Sequence, residues 1–365
     1  VSRLPEFPWD RLLPAKQKAL SHPEGLVDLS IGTPVDRVPL PIRTGLADSS
    51  EAPGYPTVHG TVAVRRAYTE WLARAHGVPD LDPADVLPTV GSKELVASLP
   101  TLLGLCPGDV VVIPELAYPT YEVGAIMAGA KVIRSDSLTA LGPERVSLLW
   151  INSPSNPTGR VLGPNHLIKV VTWARSRGVV VASDECYIDL GWDSTPLSIL
   201  HPDVSGGDHR GLLAVHSLSK RSNMAGYRAG FVSGDPDIVA RLIAIRRHLG
   251  VMVPAPVQGA ARAALADDGH VLAQRSRYSH RRAKLYEALD RAGFQVFGEA
   301  GLYLWCTRGE SDMGTVDWFA DRGILVAPGS VYGHAGANFV RIALTASDER
   351  VASAAARLEK WSGRR

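Results

Sequence analysis

Short runs of Val, Ile, Leu and Ala recur through the middle of this chain, and several are bounded by Gly, Pro, Asp or Asn. They fall at Val110–Ile113 and at residues 147–151, 179–182, 212–216 and 229–233. Runs of four or five residues are too short for core helices. They suit strands buried on both faces, which read as continuous rather than alternating apolar stretches. Amphipathic segments such as Pro164–Arg177 separate some of them, and that alternation points to right-handed crossovers between parallel strands. The predicted fold class is α/β: a mainly parallel central sheet with helices on both faces, plus a smaller α/β domain.

At 365 residues the chain exceeds what one hydrophobic core ordinarily serves, so a large and a smaller domain are expected. Pro5, Pro8, Pro14, Pro23, Pro34, Pro39 and Pro41 break up any long regular element near the start. We read residues 1–41 as an N-terminal arm and part of the small domain, 42–270 as the large domain, and 271–365 as the C-terminal small domain. Beyond Pro236 the pattern is helical to about Arg291, with 274–291 as a long solvent-facing helix. Strands are predicted at 294–297, 301–307 and 339–344, around a helix at 315–322.

A formal net charge of +2, with Lys and Arg dispersed, argues against a nucleic-acid or membrane partner and for a small-molecule function. Cys106, Cys186 and Cys306 are odd in number and far apart, so neither a disulfide framework nor a metal site is expected. Val1 to Trp9 shows no basic stretch followed by an apolar run, and no later stretch is apolar for long enough to cross a bilayer. A cytoplasmic chain is the expectation.

Three of the runs end in polar clusters suited to chemistry. Ser217, Leu218, Ser219 and Lys220 follow the run 212–216. Ligands of open α/β sheets bind outside the carboxyl ends of the strands, and a partly desolvated lysine there is a usable amine for Schiff-base formation. Asp184 follows the run 179–182 and is placed to pair with a protonated ring nitrogen, with Tyr187 three residues on as a donor to a phenolic oxygen. After 147–151, residues 152–159 form a proline-fixed turn that presents the Asn156 amide at a strand end. Each cluster alone has an ordinary reading: a solvated lysine, a helix N-cap beside a buried tyrosine, a turn without function. Recurrence at three strand ends points to a site.

Residues 152–159, then Ser183 to Tyr187, then Ser217 to Lys220 followed by Met224, Ala225, Gly226, Tyr227, Arg228, Ala229 and Gly230, resemble the ordered signature of class I/II aminotransferases of the aspartate aminotransferase fold. The resemblance spans roughly Gly25 to Leu344. It implies the type I fold of pyridoxal-phosphate-dependent transferases, with pyridoxal 5'-phosphate as cofactor and 42–270 as the domain that binds it. Lys220 is then the residue that carries the cofactor as a Schiff base and moves the substrate α-proton. Asp184 would pair with the pyridinium nitrogen, Asn156 and Tyr187 would hold the phenolic oxygen, and Tyr118 would stack on the ring. Gly91, Ser92, Lys93 and Glu94 resemble the phosphate cradle at a helix start, completed by Ser217, Ser219 and Arg228. Tyr55 is similar to the tyrosine that family members lend to the neighbouring subunit's phosphate, which implies a homodimer. Arg341 matches the arginine that binds the substrate carboxylate, with Asn156 beside it and Gly32 as the backbone contact opposite.

More narrowly, residues 7–9, 114–121, 152–163, 191–193 and 301–305 look like the N-succinyldiaminopimelate aminotransferases of actinobacteria. That resemblance implies glutamate as donor and N-succinyl-2-amino-6-oxopimelate as acceptor, on the route to lysine and diaminopimelate. Arg37, Arg43 and Lys284 are the cationic candidates for the distal end of such a substrate. An aspartate or aromatic transamination, and β-elimination or decarboxylation on the same cofactor, stay open, because reaction choice rests on geometry. A non-catalytic cofactor-binding regulator is the alternative from another class; no helix-turn-helix or basic segment occurs before Gly25 to favour it. A nicotinamide enzyme is disfavoured, since no dinucleotide glycine fingerprint joins a strand to a helix.

Overall fold

The computed structural model describes residues 4–5 and 8–362; Phe7, part of the stretch 7–9 quoted above, lies outside them. After β1 (Val27–Asp28), seven strands build the main sheet: β2 (Val86–Val90), β3 (Val110–Ile113), β4 (Lys131–Arg134), β5 (Val146–Asn152), β6 (Val180–Asp184), β7 (Leu212–Ser217) and β8 (Ala229–Gly234). Their spatial order is β2-β8-β7-β6-β5-β3-β4, and only β8 runs antiparallel to its neighbours. The five apolar runs all became strands of this sheet. Neither β2 nor β4 was anticipated, for a shared reason. Both are edge strands, where Pro88 within β2 and the charged ends Lys131 and Arg134 of β4 are tolerated but blur the apolar signal.

Alternation along the central strands sends side chains into two cores. Val181, Leu212 and Ala214 face helices Val62–His76, Pro164–Arg177 and Ala255–Ala266, while Ala182, Leu213 and Val215 face Ser92–Leu102, Thr120–Ala128 and Pro236–Leu249. Helix Val62–His76 shows how the sequence specifies such a packing. The Thr61 hydroxyl caps its start by accepting from the Val64 amide at 3.2 Å, and Gly77, at φ 66°, ends it in the left-handed region. Between the caps Val64, Ala67, Tyr68, Trp71 and Leu72 form one buried stripe at helical spacing.

A second, smaller unit follows. Strands β9 (Gln295–Phe297), β10 (Tyr303–Thr307), β11 (Ile324–Leu325), β12 (Ala327–Pro328) and β13 (Val340–Ala343) form an antiparallel sheet β12-β13-β10-β9 and a parallel pair β1-β11. The third core packs these strands against helices Leu13–Leu20, Gly269–Arg291, Asp312–Ala320 and Asp348–Ser362, and draws in Leu12, Ala15, Val27 and Leu29 from the N-terminal segment. The region read as helical from Pro236 divides into Pro236–Leu249, Ala255–Ala266 and Gly269–Arg291, the first ended by Gly250 at φ 65°. Among the described residues no helix is long and apolar enough to cross a membrane.

Trp71 is 1 % exposed and lies at the centre of the first core. Trp71→Ala should therefore lower unfolding stability by about 3–5 kcal/mol, as truncation of a buried aromatic does. Denaturant unfolding measures this, and a loss below about 1 kcal/mol would contradict the packing described.

Candidate active site

Parallel pairing puts the carboxyl ends of β5, β6 and β7 level. Asn152 lies opposite Asp184, and Asp184 opposite Val215, so three chains leave the sheet side by side. Asp184 is buried. One carboxylate oxygen accepts the Tyr121 hydroxyl at 2.7 Å and the other the Cys186 amide at 3.2 Å; among the described residues no cation pairs with it. Burial pushes its acidity toward the neutral acid, against the hydrogen bonds from Cys186 and Tyr121 and the pull of His216. On the opposite face of the sheet His216 Nε2 and Glu185 Oε2 are 3.0 Å apart, and His216 Nδ1 meets the Tyr68 hydroxyl at 2.7 Å. This buried pair ties the end of β7 to the residue after β6.

The chain beyond β7 turns at once into a short helix, Leu218–Arg221, with Ser217 Oγ accepting from the Ser219 amide at 3.2 Å. Lys220 is thereby held half-buried, its ammonium donating to the Gly32 carbonyl. Burial pushes the Lys220 amine below the ordinary lysine range; Arg341 and Arg228 act in the same direction, while Tyr303 and Cys186 oppose it. Beside it, helix Ser92–Leu102 begins after Gly91, whose φ of 72° suits glycine. A side chain at Gly91 would overlap the Arg228 guanidinium, and a Cβ at Gly230 would come within 3.0 Å of the Ser92 amide. The helix start, Arg228, Ser217 and Ser219 all line one cavity, a set of donors suited to an anion.

The smaller unit supplies the other wall. Arg341 on β13 is 3 % exposed; it donates to Asn156 Oδ1 at 2.8 Å and to the Ser30 carbonyl at 2.6 Å, and its Nε has no partner. Among the described residues no carboxylate pairs with it. Its guanidinium carbon lies 3.9 Å from the Tyr303 ring centroid and 5.0 Å from that of Tyr332. Asn156 is fixed through its amide, which donates to Asn152 Oδ1 at 2.7 Å. With Oδ1 committed to Arg341, the Asn156 side-chain NH2 is left as a donor. The Tyr187 hydroxyl sits 3.2 Å from that of Tyr303.

Gly32, Ser92, Lys93, Tyr118, Asn156, Asp184, Tyr187, Ser217, Ser219, Lys220, Arg228 and Arg341 all line one cavity of about 310 Å³. Tyr55 does not; it is 98 % exposed on this chain. Arg37, Arg43 and Lys284 are also exposed and outside the lining, so the structure does not bring these three distal candidates to the cavity. A larger, mostly apolar cavity of about 550 Å³ between β5 and β10 shares only Asn152 with it and contains neither Lys220 nor Asp184. Two residues were missed. Tyr121 lies three positions after Tyr118, and the stacking of its ring on Trp150 at 4.9 Å turns its hydroxyl to Asp184. Tyr303 reads locally as a core strand residue, and only the pairing of β10 with β13 carries it to Arg341.

The chain matches the family model for aminotransferase class I and II over residues 24–358. It is 62% identical over 356 residues to a probable aminotransferase of Mycobacterium tuberculosis, covering 97% of this chain and 85% of that protein. It is 57% identical over 359 residues to the 4-dedimethylamino-4-oxo-anhydrotetracycline transaminase of Streptomyces rimosus, covering 98% and 100%. Among solved structures, a probable N-succinyldiaminopimelate aminotransferase of Thermus thermophilus superposes with a TM-score of 0.87 at 29% identity, covering 97% of this chain and 100% of that one. The chain therefore belongs to the class I and II aminotransferases, a pyridoxal-phosphate-dependent family.

Proposed function

We propose that this aminotransferase moves an amino group from glutamate to N-succinyl-2-amino-6-oxopimelate, with Lys220 as the proton-moving residue. The observation that carries the site assignment is the convergence of a buried carboxylate without a cation, an amine shifted toward its neutral form and a buried arginine without an anion in one cavity. Pyridoxal phosphate fits these residues: its ring nitrogen would pair with Asp184, its phosphate with the helix start and Arg228, and its carbonyl carbon with the Lys220 amine, which leaves Arg341 for a substrate carboxylate. When bound, it supplies a ring that accepts the electron pair released at the substrate α-carbon.

The residues of this chain do the rest. Lys220 would hold the cofactor through Nζ and, as a free amine, would move the substrate α-proton. Asp184, stripped of water, holds the ring nitrogen protonated. The Asn156 NH2 and the Tyr187 hydroxyl would donate to the phenolic oxygen, and Tyr118 would pack against the ring. Ser92, Lys93, Ser217, Ser219 and Arg228 hold the phosphate. Arg341 receives the α-carboxylate bidentately, opposite the backbone of Gly32. Tyr55 reaches the phosphate of a second copy, which makes the working form a homodimer; its near-complete exposure on one chain supports this.

Similarity to the Thermus thermophilus protein supports the succinylated acceptor. A second reading is favoured by a specific observation, the 57% identity to the whole length of the Streptomyces rimosus transaminase: a polycyclic ketone as acceptor.

Two outcomes test these readings. Lys220→Ala should abolish the visible absorbance of bound cofactor and reduce transamination roughly a thousandfold or more; a variant that keeps both refutes the lysine assignment. Steady-state kinetics with glutamate should give the highest kcat/KM for N-succinyl-2-amino-6-oxopimelate. A clear preference for an aromatic or aspartate-type acceptor sinks that substrate, and a preference for the tetracycline ketone establishes the second reading in its place.

A further inference from the structure

Tyr303 opens β10 and is 4 % exposed. It touches three parts of the site at once. Its hydroxyl lies 3.2 Å from that of Tyr187. It faces Gly32 so closely that any side chain at that position would overlap it, and the carbonyl of the same glycine takes the Lys220 ammonium. Its ring lies 3.9 Å from the Arg341 guanidinium carbon. The titratable or charged groups facing it are Tyr187, Cys186, Lys220, Arg341, Tyr332 and Tyr118, with Tyr278 behind.

A phenol carries one proton. Tyr187 can give its proton to Tyr303 or to a ring oxygen in the cavity, but not to both. If Tyr187 is to serve the ring oxygen and stay hydrogen-bonded to Tyr303, then Tyr303 must be the donor. Its surroundings suit that direction. Burial would make Tyr303 less acidic, but the charges of Arg341 and Lys220 beside it act the other way and the phenol lies below its ordinary range, whereas burial pushes the Tyr187 phenol well up. The more acidic phenol is the better donor, and a donation into Tyr187 strengthens the next bond along the chain.

We propose that Tyr303 is a positioning residue with two separable duties: its hydroxyl directs the Tyr187 proton toward the cofactor's phenolic oxygen, and its ring holds Arg341 in the orientation that receives a carboxylate. This rests on the roles of Tyr187 and Arg341 proposed above. A donor on the phenolic oxygen favours the form in which that oxygen bears charge without a proton beside it. Weakening the donor therefore raises the pH at which the bound cofactor changes its visible absorbance.

The test uses holoenzyme with Tyr303→Phe, Tyr303→Leu, Tyr187→Phe and the double variant Tyr187→Phe/Tyr303→Phe. Melting temperatures accompany each, and the Phe change at 303 removes a single oxygen. Tyr303→Phe should raise the absorbance midpoint by about half a pH unit or more while leaving the KM for glutamate within about twofold of the wild type. Adding it to Tyr187→Phe should move the midpoint no further. Tyr303→Leu should in addition raise the KM for glutamate about tenfold or more. A midpoint unmoved by Tyr303→Phe, or one moved equally without the Tyr187 hydroxyl, overturns the first duty; an unchanged KM in Tyr303→Leu overturns the second. A midpoint unmoved by Tyr187→Phe removes the Tyr187 role on which the first duty rests, whereas a midpoint moved by Tyr187→Phe and unmoved by Tyr303→Phe overturns only the duty of Tyr303, so the two failures are distinguishable.

Discussion

A carboxylate buried without a cation is the constraint around which the rest of this site is arranged. Removing an ionised group from water is costly unless something repays it. Asp184 has two hydrogen bonds, from Tyr121 and the Cys186 amide, and no positive partner among the described residues. Burial raises its affinity for a proton, and a cation beside it would act the other way. The fold fixes its position. Parallel register sets it level with Asn152, stacking on Trp150 aims Tyr121 at it, and the Glu185–His216 pair fastens the strand ends from behind.

Arg341 is the mirror image of that arrangement, a cation buried among rings with no carboxylate partner among the described residues. The two unfilled charges belong to different sheets, one on β6 and the other on β13, and Asn156 links them: its amide is held by β5 while its carbonyl oxygen accepts from Arg341. A ligand with a positive ring nitrogen and a carboxylate partner satisfies both ends. Lys220 lines the same cavity, its amine eased toward the neutral form by burial and by the neighbouring arginines.

Much of this could be read from the chain, because buried parallel strands announce themselves as apolar runs and their carboxyl ends as polar clusters. Lys220, Asp184 and Asn156 stand out that way, each by what it follows, and the three line one cavity. The edges were not legible: β2 contains a proline and β4 is half charged, so neither resembles a core strand. Tyr303 escaped for a different reason. Nothing around it signals polarity, and its importance arises from a pairing with β13 about forty residues later, a long-range register that local pattern does not encode. Tyr55 sets a further limit, since an exposed side chain whose expected partner lies on a second copy has no meaning within one chain.

The most direct test of this account is the protonation state of the cofactor's ring nitrogen in the holoenzyme, read by NMR with nitrogen-15-labelled pyridoxal phosphate. The account predicts a protonated nitrogen in the native protein and a nitrogen without its proton in Asp184→Asn, where the negative charge is gone but the side chain's shape is kept. A nitrogen that is protonated to the same extent in both proteins would contradict it.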